Sequence, residues 1–313
     1  MRENMDFTKV KTYSIKGRKG KVNIAEFAKI SKKGAKFADF YEGLPDILAV
    51  KNLKALVDGV IYAYKRKRMV IFMLGAHVIK CGLSPLVIDL MKCGVIKAVA
   101  LNGAGIIHDT EIAMVGSTSE DVGAGIMDGS FGMTKETAEF INEGINDGCR
   151  AGLGIGEAIG KKILDEKLKN SSLSILAAAH KLSIPITVHV AIGADIIHQH
   201  PLADGAAIGE GTMADFKKLV RSVGKLGRGG VVVNFGSAVI LPEVFLKAIN
   251  LARNLGCGVK GFIAANFDMY THYRPMQNIL VRPTQKGFGK GLNIIGHHEI
   301  MMPLLYQAIV ERL

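Results

Sequence analysis

The chain has 313 residues, 49% of them apolar and 22% charged, a balance that excludes a disordered or fibrous protein and leaves room for a sizeable α/β core. Lys and Arg total 40 against 28 Asp and Glu, for a formal net charge of +12. The basic residues are scattered apart from Arg18-Lys19-Gly20-Lys21 and Lys65–Arg68, and neither Trp nor an RNA-binding or zinc-finger signature is present. The charge therefore reads as a solvated surface that attracts anions such as a dinucleotide, not as a nucleic-acid footprint. Cys81, Cys93, Cys149 and Cys257 lie far apart without a CxxC pair, which suits reduced thiols. The polar N-terminal stretch lacks a signal-peptide core, and no apolar run reaches membrane-spanning length. The expectation is a cytoplasmic protein with no membrane contact.

In chain order, residues 1–40 read as a basic arm or peripheral segment, and 41–313 as one domain. From Phe40 the residues Leu44, Ile47, Leu53, Leu56, Val57, Val60 and Ile61 recur at helical spacing, and the run ends in cations favourable at a helix C-terminus. Met69–Leu74 is an apolar run of the kind buried on both faces of a sheet. Ser84-Pro85 opens a helix that Gly94 closes, and Lys97–Leu101 is the next strand. That strand breaks on Asn102-Gly103-Ala104-Gly105, followed at once by His108, Asp109 and Glu111.

A Gly- and Ser-rich excursion over 116–133 reads as a surface or active-site loop. Helices are expected from Thr134, from about Ile155 to Leu168, and from Ser171 or Ser172. Ile186–Val190 is a strand that ends near Gly193-Ala194-Asp195. Thr212 with Asp215 has the spacing of a helix capping pair. Gly229–Phe235 and Val259–Ala265 are strands, separated by a helix that Pro242 begins, and a last helix starts at about His298. Strands alternate with helices almost throughout. The expected fold is α/β, a doubly wound, mostly parallel, Rossmann-like single domain.

Each predicted strand ends in Gly, Asn, Asp or His, and in such a sheet ligands sit at the carboxyl ends of the strands. Gly75-Ala76-His77, Asn102–Gly105, Gly193–Asp195, Gly236-Ser237 and Asn266–Asp268 describe a Gly-lined crevice suited to a dinucleotide, although GxGxxG is absent. Two other chemistries remain open. His198 with His200, and His297 with His298 and Glu299, have donor types that ligate metals, and equally those that cap and hydrogen-bond. Lys286 and Lys290 lie in a Gly-rich stretch that reads either as a basic surface loop or as the seat of an imine-forming lysine.

The order of these stretches resembles the deoxyhypusine synthase family from about Tyr41 to the C-terminus. The resemblance rests on IFMLGAHVIKCGL (71–83), KAVALNGAGIIHD (97–109), IPITVHVAIGAD (184–195), the run from Gly229 to Asp268, and GHHEIMMPLLYQAI (296–309). It implies an NAD-dependent, homotetrameric enzyme with active sites at subunit interfaces. Such an enzyme oxidises spermidine and passes an aminobutyl group through an enzyme lysine to a lysine of a translation factor. By that resemblance NAD falls to Gly75, Ala76, His77, Asn102, Gly103, Ala104, Gly105, Gly236, Ser237, Asn266, Asp268 and His297.

The departures are specific. Where the family carries an acid-rich stretch, this chain has FDMYTHYRPMQNILVRP (267–283), with Asp268 the evident counterpart. Leu241-Pro242 replaces paired histidines, and His297 stands where an acid is expected. Aligned on Arg282-Pro283, Lys290 takes the place of the catalytic lysine; aligned on Arg274-Pro275, no lysine does. The expectation is thus a divergent NAD-dependent transferase or dehydrogenase for a polyamine or other small amine. His108 or Asp109 would serve as general base, Asp195 would orient the substrate, and Lys290 would carry any imine chemistry. The alternatives are a metal-dependent hydrolase or lyase and a non-catalytic NAD-binding paralogue.

Overall fold

Five apolar runs and one mixed Gly-rich stretch become the strands β1 (Val70–Leu74), β2 (Ala98–Asn102), β3 (Ile186–His189), β4 (Val231–Phe235), β5 (Phe262–Asp268) and, from the mixed stretch, β6 (Gly289–Ile295). In this computed structural model, which describes residues 5–313, they form one parallel sheet of order β3-β2-β1-β4-β5-β6. The register sets Leu74 beside Leu101 and Phe235, and Phe235 beside Phe267. The order reverses between β1 and β4, the switch point of a doubly wound fold.

The helices are α1 (Phe37–Gly43), α2 (Leu48–Lys65), α3 (His77–Lys80), α4 (Ser84–Lys92), α5 (Gly103–Val115), α6 (Val122–Asp128) and α7 (Lys135–Arg150). There follow α8 (Ile155–Asp165), α9 (Ile175–Lys181), α10 (Gly205–Val223), α11 (Ile240–Asn254), the single turn α12 (Tyr273–Pro275) and α13 (His298–Val310). The chain divides into two compact units, one up to Lys51 and one from Asn52 to Leu313. Among the described residues the first holds α1 and three isolated turns capped by Asp6, Ser14 and Asn23. Residues 1–4 of the expected basic arm lie outside the described residues. No helix among the described residues is long and apolar enough to cross a membrane.

Alternate residues of a strand face opposite sides, and the core follows that rule. Ile71, Met73, Ala98, Val232 and Ala264 meet Leu219 and Val223 of α10 and Phe245 and Ile249 of α11. On the other side α2 approaches so closely that a Cβ on Gly59 would lie 2.3 Å from Ile263 Cδ1. Asn234, Asn266 and Asn293 share a register position across β4, β5 and β6. Their amides form a ladder, Asn234 Nδ2 donating to Asn266 Oδ1 at 2.7 Å and Asn266 Nδ2 to Asn293 Oδ1 at 3.3 Å.

Several local expectations are corrected. The helix expected from Phe40 onward is broken, because the chain leaves α1 at Gly43 and enters α2 through Leu48, whose φ is +48°. The Asn102–Gly105 turn is the first turn of α5, capped by the Asn102 side chain. The 116–133 excursion contains α6, and the third expected helix starts at Ile175 under a Ser174 cap. Thr212 and Asp215 do not begin a helix, since α10 starts at Gly205, where Asp204 accepts from Ala206 and Ala207. Instead, Thr212 donates to the Val188 carbonyl, and Asp215 is buried, accepting from the Gly156 and Val188 amides. The stretch from Gly289 is the edge strand β6 rather than a loop.

Candidate active site

The first turn of α5 sits at the carboxyl edge of β2, beside the loop that leaves β3. Asn102 accepts from the Gly105 amide at 3.0 Å, which turns the strand directly into the helix. A Cβ on Gly103 would lie 1.8 Å from Asp195 Oδ2, so only glycine leaves space for that carboxylate. Asp195 Oδ2 is buried without a hydrogen-bond partner among the described residues, and burial pushes the carboxyl up to about 6. The positive end of the α5 dipole faces it.

A cleft of about 550 Å³ opens beside Asp195. Its walls are Ala104, Ile107, His108 and Glu111 of α5, residues 117–120 of the following loop, Phe131, and Glu136 and Thr137 of α7. His108 Nδ1 lies 2.6 Å from Thr118 Oγ1, and the Thr118 hydroxyl donates to Glu111. Thr137 Oγ1 donates to the other Glu111 oxygen at 3.1 Å. With its proton committed to Glu111, Thr118 must accept from His108, which fixes the proton on Nδ1 and leaves the lone pair on Nε2. Burial holds the His108 imidazole below its ordinary value, Lys80 and His77 add to that, and Glu111 opposes it. The imidazole is therefore neutral near pH 7. Glu111, Glu120, Glu136 and Asp195 face the lone cation Lys80 across the cleft, so the lining is acidic.

The second cluster lies at the switch point. Gly75 donates its amide to the Phe235 carbonyl at 2.7 Å, and a Cβ there would lie 2.6 Å from Gly236 O. Gly236 has a φ of +64°, and a Cβ on it would lie 2.5 Å from His298 Nε2. Both glycines are demanded by backbone and imidazole packed against them. Among the described residues, the amides of Ala76, His77, Ser237 and Ala238 donate to no acceptor in the chain. Ser237 Oγ accepts from the Leu241 amide at 3.2 Å at the start of α11. Asp268 accepts from its neighbour Met269 and faces His272 at 3.9 Å. His298 is buried edge-on to Phe235, and its burial lowers its pKa against the opposing pull of Asp268. His297, exposed, precedes α13 and lies 3.9 Å from Glu299.

The structure thus gathers Gly75, Ala76, His77, Gly236, Ser237, Asp268 and His297 at one place, and Asn102, Gly103, Ala104, Gly105, His108 and Asp195 at another. Two expected residues, Asp109 and Lys290, stand apart from both, and Asn266 reaches Ser237 only through Asn234, whose amide donates to the Ser237 carbonyl at 3.0 Å. Asp109 is fully buried and accepts from Ser174 Oγ and the amides of Ile175 (2.8 Å) and Leu176 (3.2 Å), holding down the start of α9. Asn266 is committed to the amide ladder. Lys290 is exposed beside Ile263 at the amino end of β6, five strand residues and about 16 Å from the carboxyl edge. His198 Nδ1 accepts from the Gly193 amide at 3.2 Å and His200 Nδ1 from Leu202 at 3.3 Å, so both side chains shape local turns. No group of three or more His, Cys, Asp or Glu suited to a metal ion occurs among the described residues.

Sequence reasoning missed Thr118, Glu120, Glu136 and Thr137. Thr118 and Glu120 fall in the loop already marked as a possible active-site segment, and nothing in the helical pattern after Thr134 singles out the other two.

The fold is that of a Rossmann-like α/β protein, with both clusters at the carboxyl ends of its strands. No family model and no curated protein matches the chain. Solved structures do match in fold. A conserved LOR/SDH-type protein from Methanococcus maripaludis S2 superposes with a TM-score of 0.54 at 14% identity, over 83% of this chain and 67% of its own. AgrE, in a ternary complex with ornithine and NAD+, superposes with a TM-score of 0.52 at 13% identity, over 83% of this chain. The chain spans 33% of AgrE's length. A deoxyhypusine synthase-like protein from Entamoeba histolytica gives a TM-score of 0.51 at 10% identity, covering 89% of this chain and 94% of its own. These likenesses establish a shared fold.

Proposed function

We propose that the protein is a nicotinamide-dinucleotide-dependent enzyme that takes a small amine into the cleft over α5. The observation that carries this reading is Asp195, which lines an acidic cleft beside a neutral His108 and whose Oδ2 is buried against Gly103 without a hydrogen-bond partner among the described residues. A buried carboxylate without a donor is costly, and a substrate ammonium supplies both the charge and the hydrogen bond it lacks. The fold it shares with AgrE, which was solved with ornithine and NAD+, supports the pairing of an amine with this cofactor.

The residues that fit the dinucleotide are those at the switch point. The open amides of Ala76, His77, Ser237 and Ala238 suit a pyrophosphate, and the Gly75–Gly236 approach brings the two loops together. The α5 N-terminus fits it poorly, because Asp195 already places a carboxylate there. Bound at the switch point, the cofactor would accept a hydride from the carbon bearing the amine. Asp195 holds one ammonium, and His108 Nε2 takes the proton that the reacting amine gives up as its carbon is oxidised. Thr118 and Glu111 stabilise the resulting imidazolium through Nδ1. Lys290 takes no part, so this reading is an oxidation without a lysine-bound intermediate. The homotetramer and the polyamine substrate that the family resemblance implies stand as extensions of the proposal, checked by light scattering and by a panel of amines.

The test is calorimetric titration with NAD+, followed by a spectroscopic assay of NADH formation with ornithine, putrescine and spermidine. Saturable NAD+ binding and amine-dependent reduction are expected. A flat titration at millimolar NAD+ overturns the reading.

A further inference from the structure

At the opposite edge of the sheet, a cleft of about 490 Å³ lies where α9 hands over to β3. We propose that it binds a phosphorylated small organic molecule, at a site separate from the two strand-end clusters.

Lys218, Arg221 and Ser222 of α10, at three- and four-residue spacings that share a helix face, line one wall together with Lys225 from the turn that follows the helix. His180 and Ser183 line the other, and Ala179, Ile184, Pro185 and Ile186 form an apolar floor. The one carboxylate in the lining, Glu157, is consumed by its ion pair with Lys218. Arg221 and Lys225 are exposed, and among the described residues neither side chain has an ion pair or hydrogen bond. Two unspent cations converge with Ser183 and an imidazole on one concavity, a donor set that suits a phosphate, while the Ser222 hydroxyl is spent on the Lys218 carbonyl. The apolar floor adds room for an organic body, a feature that inorganic phosphate would leave unused. The concave shape and the absence of Phe, Tyr and Trp from the lining favour a small ligand over a single-stranded nucleic acid, which stacks its bases on aromatic rings.

The full chain, held in saturating NAD+ to cover the switch point, is titrated with inorganic pyrophosphate and with ADP. Parallel titrations use the double variant Arg221→Gln/Lys225→Gln and a control, Arg18→Gln/Lys19→Gln, that removes equal charge elsewhere. The expected result is saturable one-site binding of ADP, tighter than that of pyrophosphate, about tenfold or more weaker in the Arg221/Lys225 variant and unchanged in the control. Unaltered far-ultraviolet dichroism confirms that the variant is folded, and its NAD+ affinity, read separately, stays at the wild-type value. No saturable binding of ADP, equal weakening in the control, or binding of a single-stranded RNA oligonucleotide in preference to ADP would each overturn the proposal. Failure of NAD+ to bind bears on the enzyme reading and leaves the Arg221/Lys225 comparison intact.

Discussion

Asp109 belongs to α5 and Asp195 lies against its first turn, and burial raises both to about 6. Their surroundings differ. Around Asp109, a serine hydroxyl and two backbone amides fill the carboxylate's lone pairs, and no room remains for anything else. Around Asp195, one buried oxygen faces a glycine chosen for its missing side chain, and the cleft begins alongside. A raised pKa alone does not mark chemistry, because a structural carboxylate acquires one in the same way. What separates the two is whether the charge has been spent inside the chain.

The sharpest test of that contrast is a pair of substitutions with opposite signs. Asp109→Ala strands three donors in the interior and is expected to cost about 2–4 kcal/mol in urea unfolding. Asp195→Asn removes a charge that folding buries unpaired. A carboxyl raised from 3.8 to about 6 in the folded state binds its proton more tightly there, so its contribution to stability is present at low pH and lost as pH rises through about 6. Asp195→Asn should therefore stabilise the protein by about 1–3 kcal/mol at pH 7.5 and by almost nothing at pH 4, while weakening amine binding. A destabilising Asp195→Asn at pH 7.5 would put the residue in the same class as Asp109.

A smaller effect is expected from Thr118→Val, which cuts His108 from Glu111. Amine oxidation should fall about tenfold with NAD+ affinity unchanged. In the wild type the acid limb of kcat/KM should lie below the usual imidazole range, as the lowered His108 pKa requires. Smallest of all is Lys290→Ala, expected to leave NADH formation within a factor of about two, since the residue stands at the far edge of the sheet. A large loss there would contradict the placement of the site.

The parts of the fold that were legible in the sequence were those whose pattern had one physical cause. Met69–Leu74 and Gly229–Phe235 are apolar because both faces of β1 and β4 are covered, and nothing competes with that reading. The misread elements each obey a second constraint. Gly289, Lys290 and Asn293 spoil the strand pattern of β6, yet Gly289 and Gly291 sit where a Cβ would meet the Phe262 and Leu280 carbonyls, and Asn293 completes the ladder. Thr212 and Asp215 have capping spacing, but they bind β3 and α8 from mid-helix, a role visible only once those elements are in place. For the candidate site, the strand-end positions could be read in advance. The division of labour among them could not, because it depends on which amides and carboxylates the fold itself consumes.

The asparagine ladder also bears on how the outer sheet opens. A slip of one residue between β5 and β6 would turn Asn293 to the opposite face and leave the Asn266 amide without its acceptor. Asn52 of α2 clamps the same position, donating to the Asn293 carbonyl at 2.9 Å. Although β6 is an edge strand, its amide protons should exchange with solvent at rates set by the opening of β4 and β5 together, and not by fraying from the margin. In kinetic terms, the sheet's apparent border is one strand further out than its most protected hydrogens would ordinarily lie.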